Sequence, residues 1–78
     1  MNITMRDGRK FSGTPLQIVQ GMRAVAFDQA DATIETYVRW VVANVERNDE
    51  LALNVAGTCD EELCARLVNE MLRTGLAT

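Results

Sequence analysis

The sequence predicts a small α+β domain whose elements follow in the order β-β-α-α-β-α. Three observations support this prediction: a turn signal at residues 7–8 lies between two short strand-like segments, three stretches repeat apolar residues at helical spacing, and residues 51–56 alternate apolar with small or polar residues. The simplest packing is a three-stranded sheet, made of the N-terminal hairpin and the later strand, with the helices on one face. Residues 1–78 form one domain, because 78 residues are too few for two cores.

Side-chain parity selects the loop of the hairpin. A two-residue loop at residues 7–8 would place Phe11 on the face opposite Ile3. A three-residue loop at residues 6–8 pairs Ile3 with Phe11, so that the apolar side chains share one face. This loop requires Gly8 in the left-handed conformation, which glycine adopts without steric cost. We therefore expect the three-residue loop.

A capping box begins the first predicted helix. Thr14 and Gln17 have the spacing of such a box, and Pro15 suits the first helical position, so the helix should run to about Phe27. Gly21 lies in its interior, where glycine costs about 1 kcal/mol relative to alanine. We expect the close approach of a neighbouring backbone to compensate for this cost.

Two further helices have their own start and stop signals. Thr33 is a plausible cap for a helix that runs to about Arg47, and Thr58 with Glu61 forms a second capping box at the start of a third helix. Gly75 is expected to end this last helix as a left-handed residue. The third strand, residues 51–56, lies between these two helices and should pair with the hairpin or with a partner molecule, because an isolated hairpin is not stable alone.

Composition and charge limit the classes of function. A hydrophobic fraction of 47% argues against disorder. No apolar stretch approaches the roughly 18 residues that span a bilayer, and no signal-peptide pattern is visible, so we expect a cytoplasmic protein without a membrane partner. The net charge of −3 is unevenly spread: residues 1–27 carry four basic residues and one acid, while residues 28–78 carry four basic residues and ten acids. Direct nucleic-acid binding is therefore not expected.

The chain lacks the side chains that most catalytic and metal sites require. It has no histidine, its glycines are isolated, and its only serine lies outside a nucleophile motif. We therefore expect no enzyme activity, no metal and no cofactor. Two cysteines are too few for a structural zinc site in one chain. Cys59 is either a thiol at a helix N-terminus that reacts or forms an intermolecular disulfide, or a bystander on the surface. Cys64 lies on an apolar stripe and belongs in the core.

Trp40 is the most informative single residue, because helical projection places it about 60° outside the apolar stripe of the second helix. It is either an interface anchor or a residue packed against the 28–32 loop or the hairpin. The basic hairpin tip either protects a strand edge or meets an acidic protein surface or nucleic acid. The acidic run at residues 60–62 reads as helix capping and a solvated face. The residues expected to contact a partner are Trp40, Arg6, Arg9, Lys10, Tyr37, Arg47, Asp60, Glu61 and Glu62.

These features favour a small non-catalytic protein that binds another protein, or a nucleoprotein complex, and occludes or bridges it. The short, acidic, motif-free chain resembles in profile the phage and mobile-element inhibitors of bacterial defence, such as anti-CRISPR proteins. An adaptor or regulatory subunit of a bacterial enzyme is the alternative, and a small enzyme or thiol-dependent protein that uses Cys59 is a weaker one. Homodimerisation through the same surfaces also remains open.

Overall fold

The computed structural model describes residues 1–26 and 28–78. Two short strands come first, β1 (Asn2–Thr4) and β2 (Lys10–Ser12), and three helices follow: α1 (Pro15–Val25), α2 (Ile34–Asp49) and α3 (Asp60–Thr74). The chain is of the α+β class, but the sheet of the described residues has two strands rather than the predicted three. Phe27, the predicted end of the first helix, lies outside the described residues.

The hairpin has the predicted three-residue loop. β1 and β2 are antiparallel, with Ile3 opposite Phe11. Gly8 has φ of +96°, and the Met5 N–H donates to the Arg9 carbonyl at 2.7 Å to close the loop. Ile3 is fully buried and Phe11 partly buried, so the apolar face of the hairpin meets the helices.

The first two helices begin where the sequence predicts. The Thr14 hydroxyl accepts the Gln17 N–H at 3.2 Å, and the Gln17 side chain accepts the Thr14 N–H at 2.9 Å, which completes the capping box. The Thr33 hydroxyl accepts the Thr36 N–H at 3.1 Å. Each bond satisfies a backbone donor that the helix itself leaves unpaired.

The predicted capping box of Thr58 and Glu61 is wrong. The residue that precedes α3 is Cys59, and its side chain makes no capping bond. The third helical position therefore falls on Glu62, whose carboxylate accepts the Thr58 N–H at 3.2 Å and the Thr58 hydroxyl at 3.0 Å. These two bonds, the backbone one first, lower the pKa of Glu62. At the other end, Gly75 has φ of +81° and ends the helix as predicted.

The predicted third strand is also wrong. Side chains of residues 51–56 do alternate between buried and exposed, and Leu53 belongs to the core. Within the described part of the chain, however, the backbone of residues 51–57 makes one hydrogen bond, from the Asn54 N–H to Glu70 Oε1 at 2.8 Å. The alternation therefore reflects packing of every second side chain on the core and not a sheet partner.

The C-terminal tail, residues 76–78, occupies the edge of β1 instead. Thr4 and Thr78 exchange backbone hydrogen bonds of 2.8 and 2.9 Å, and the Arg6 N–H donates to the Leu76 carbonyl at 2.9 Å. The tail reaches this edge because Gly75 turns the chain directly after α3.

The helices and the hairpin share one core. α1 contacts α3, α2 and β2. Gly21 of α1 faces the Phe11 ring, since a Cβ at this glycine would lie 3.2 Å from Phe11 Cδ1. A side chain, and not the predicted backbone, therefore approaches the glycine. The core consists of the following buried residues: Ile3, Ile18, Val19, Met22, Ile34, Tyr37, Val38, Val41, Leu53, Cys64, Leu67, Val68, Met71, Leu76 and Ala77.

Removal of residues 76–78 should lower the free energy of unfolding by about 2–5 kcal/mol, because it removes the buried side chains of Leu76 and Ala77 and breaks four backbone hydrogen bonds, three with Thr4 and Arg6 and one from the Ala77 N–H to the Met71 carbonyl. Urea titration followed by circular dichroism measures this change. Thr78→Ala is the control, since it retains the backbone bonds and should change stability by less than about 0.5 kcal/mol. A truncated chain as stable as the full chain would contradict the role of the tail.

Glu70 should make stability pH-dependent in acid. Its hydrogen bonds with Arg73 and then with the Asn54 N–H lower its pKa from 4.5 to about 2. Because the folded pKa lies below the unfolded one, the contribution of Glu70 is complete above pH 4.5 and is lost as the pH falls towards 2. In thermal unfolding between pH 7 and pH 2, the stability difference between the wild type and Glu70→Gln should therefore shrink with acidification. For Leu72→Ala, which changes no titratable group, the difference should stay constant, and a constant difference for Glu70→Gln would refute the assignment.

Candidate protein-binding surface

Trp40 is exposed and is held in place by a buried aromatic ring. Its side chain on α2 is 39% exposed, while Tyr37, one turn earlier, is 3% exposed. The two rings stack with their centroids 5.9 Å apart and an angle of 25° between their planes. Burial raises the pKa of Tyr37 to about 12, so the phenol stays neutral. Trp40 therefore exposes an apolar ring to solvent while it stacks on the buried ring of Tyr37.

A small cleft lies beside Tyr37, between the hairpin and the C-terminal end of α1. Its volume is about 130 Å³. Its lining is largely apolar and consists of Met5, Asp7, Arg9, Phe11, Met22, Val25, Ala26 and Tyr37. Val25, in the last turn of α1, is 55% exposed. We call Trp40, Tyr37 and the residues of this cleft the Trp40 surface.

The basic hairpin tip borders the Trp40 surface. Arg9 lines the cleft, and its side chain lies 3.6 Å from Asp7 in the same loop. Arg6 extends to Asp49 at the end of α2, at 3.5 Å. Both pairs are solvent-exposed and each contributes at most about 1 kcal/mol to stability, so the arginines can exchange these partners for others. Lys10 is exposed and forms no ion pair with any described residue.

Arg47 lies seven residues after Trp40 on α2, about 10 Å along the same side of the helix. It is exposed and occupies the last turn, where a cation interacts favourably with the helix dipole. Arg47 therefore adds one positive charge to the side of α2 that carries Trp40.

The three predicted acidic residues lie elsewhere. Asp60, Glu61 and Glu62 form the first turn of α3 and are exposed. Glu62 is engaged by Thr58, whereas Asp60 lines a second, larger groove. The nine predicted contact residues thus do not form one site, because the acidic ones belong to another face of the molecule.

The sequence reasoning missed this second groove, which has a volume of about 670 Å³ and lies between α2 and residues 55–60. Its lining comes from two separate stretches of chain: Glu35, Val38, Arg39, Val42, Ala43 and Glu46, and then Val55, Ala56, Gly57, Thr58, Cys59, Asp60 and Leu63. Helical spacing of Glu35, Arg39, Val42 and Glu46 shows that they share a face of α2. The sequence does not show that the uncharged stretch 51–59 lies across from that face.

The two cysteines are free thiols in different surroundings. Cys64 is buried in the core as predicted, and burial, followed by the nearby charge of Asp60, raises its pKa to about 11. Cys59 is exposed in the larger groove. Across the described residues, no three cysteine or acidic side chains are grouped closely enough to hold a metal ion.

None of the described helices combines the length and the apolar character needed to cross a membrane. Comparison of the chain with protein-family models, curated proteins and solved structures found no match. The function must therefore be argued from the two surfaces themselves.

The native protein should react with a thiol reagent in two phases. At pH 8, Ellman's reagent should modify Cys59 within minutes, while Cys64 should react only after unfolding, because it is buried and its thiol has a raised pKa. The variants Cys59→Ser and Cys64→Ala assign the two phases, since each removes one of them. Two equally fast thiols in the folded protein would contradict the burial of Cys64.

Proposed function

We propose that this protein is a non-catalytic binding module that engages another protein through the Trp40 surface. The observation that carries the proposal is the exposed Trp40 ring stacked on the buried Tyr37. Tryptophan, tyrosine and arginine are the residues most enriched among interface hot spots, and a ring that is already ordered loses little conformational entropy on binding. The adjoining cleft and Val25 supply further apolar area for a partner to cover.

The charge around this surface favours an acidic partner. Arg6, Arg9, Lys10 and Arg47 supply positive charge on the hairpin and along α2, although the whole chain has a net charge of −3. Such a local patch increases the rate of association with a negative surface. The basic patch is small and Trp40 is the only tryptophan, so it is poorly suited to direct nucleic-acid binding. A protein, alone or within a nucleoprotein complex, is the better-supported partner.

Occlusion of a larger complex is the mode of action that we propose, as in a phage or mobile-element inhibitor of bacterial defence. A chain of 78 residues is large enough to cover a site on a larger assembly, and the exposed Trp40 ring with its adjoining cleft supplies a surface for doing so. The same surface would also serve an adaptor or regulatory subunit. The two differ in outcome, because an inhibitor lowers its partner's activity in a purified assay, whereas an adaptor raises or redirects it. Two free thiols suit action in the reducing cytoplasm.

Trp40→Ala should weaken partner binding by about 2 kcal/mol or more, because it removes the anchor ring. The wild-type protein captures its partner from a bacterial lysate, and calorimetry then measures affinity with the purified partner. Leu72→Ala is the matched control: Leu72 is 36% exposed, close to the 39% of Trp40, but lies on α3.

Binding that is lost equally in the Trp40→Ala and Leu72→Ala variants would contradict a specific role for Trp40, as would binding that survives in both. Light scattering of the wild-type protein tests the remaining alternative, homodimerisation. A dimer that Trp40→Ala dissociates would identify a second copy as the occupant of the Trp40 surface.

A further inference from the structure

The groove between α2 and residues 55–60, here called the acidic groove, is an open site with an apolar floor. Val38, Val42, Val55 and Leu63 line it, and its volume of about 670 Å³ is in the range of ligand-binding clefts. Val42, Val55 and Leu63 are only partly buried, so each retains apolar area that an occupant could cover.

One wall of the acidic groove has free backbone groups. Residues 51–57 form no helix or turn, and the side chains of residues 51–56 alternate between inward and exposed positions, as in an extended chain. Asn54 is fixed by its bond to Glu70, and Thr58 by its bonds to Glu62. Between these anchors, the N–H and C=O groups of residues 55–57 make no hydrogen bond with any described residue. An extended backbone with free donors and acceptors is the feature that peptide recognition by strand addition uses.

The rim of the acidic groove has an excess of negative charge. It carries the carboxylates of Glu35, Glu46 and Asp60 and one cation, Arg39. Arg39 is already paired with Glu35 at 2.7 Å. Glu46 and Asp60 have no ion pair with a described residue, so their charge is available to an incoming cation.

We propose that the acidic groove takes up an extended segment of a partner protein that carries lysine or arginine at alternate positions. The segment pairs through its backbone with residues 55–57. Since successive side chains of a strand point to opposite sides, its apolar side chains reach the floor while its basic ones reach Glu46 and Asp60. This site goes beyond the Trp40 surface, because its centre lies about 130° around α2 from Trp40.

A peptide titration tests this proposal on the full chain. The probe is a fluorescein-labelled nonapeptide of alternating lysine and valine, and fluorescence anisotropy reports its binding. It should bind at least about tenfold more tightly than the glutamate–valine peptide, owing to charge complementarity. Methylation of the backbone nitrogens on one edge of the probe should weaken binding at least about fivefold, because it removes the donors for strand pairing.

Protein variants locate the binding site. Glu46→Gln should weaken binding of the lysine–valine probe about threefold or more at low salt, while Asp31→Asn, which removes an exposed carboxylate from a loop outside the groove, should not. Equal binding of the two peptides, no effect of backbone methylation, or an equal effect of the two variants would each overturn the proposal. A protein dimer in light scattering that Glu46→Gln dissociates would also overturn it, since the occupant would then be a second copy.

Discussion

Both edges of β1 are paired, and this constraint organises the rest of the molecule. β2 binds one edge with Ile3 opposite Phe11, and the C-terminal tail binds the other through the Thr4–Thr78 bonds. A three-residue strand has few hydrogen bonds of its own, so a neighbour on each side is what keeps it in place. The arrangement also connects the two ends of the chain. The tail follows Gly75 directly, and β1 thereby holds the end of α3 against the hairpin whose apolar face covers α1.

Occupation of that second edge leaves the segment between α2 and α3 outside the sheet. Three contacts hold the segment instead: Leu53 packs in the core, the Asn54 N–H donates to Glu70, and the Thr58 N–H donates to Glu62. Gly57 permits a close approach to α3, since a Cβ there would lie 2.8 Å from the Cβ of Glu62. Only a glycine fits without moving the first turn of α3. These anchors fix the ends of the stretch, while the backbone of residues 55–57 makes no hydrogen bond with any residue that the structure describes and lines the groove beside α2.

Most local signals were read correctly from the sequence, and long-range pairing was not. The exception is the second capping box: Thr58 and Glu61 have the right spacing, but the helix begins one residue later, after Cys59. The turn at Gly8, the capping box of Thr14 and Gln17 and the stop at Gly75 depend on neighbours within a few residues, so their geometry follows from the residue types. Alternation over residues 51–56 showed correctly which side chains face inward. It contained no information about which backbone would pair with β1, because packing on helices and pairing in a sheet produce the same period of two. The position of Trp40 off the helical stripe left two alternatives, an interface anchor or packing against the 28–32 loop or the hairpin, and the structure shows the side chain 39% exposed. The acidic groove needs two stretches that only the tertiary structure brings together.

The basic and acidic residues that are unevenly spread along the sequence lie on different faces of the folded chain. Arg6, Arg9 and Lys10 lie at the hairpin tip, where Arg9 lines the cleft beside Tyr37. The carboxylates of Glu35, Glu46 and Asp60 line the groove on the other side of α2. α2 therefore separates two surfaces of opposite sign, and the net charge of −3 conceals both. Interface electrostatics selects partners by sign and orients them, so surfaces of opposite sign favour different partners. Under the two proposals made above, the Trp40 surface would meet an acidic partner and the acidic groove a basic segment, so the two sites would not compete for the same partner surface.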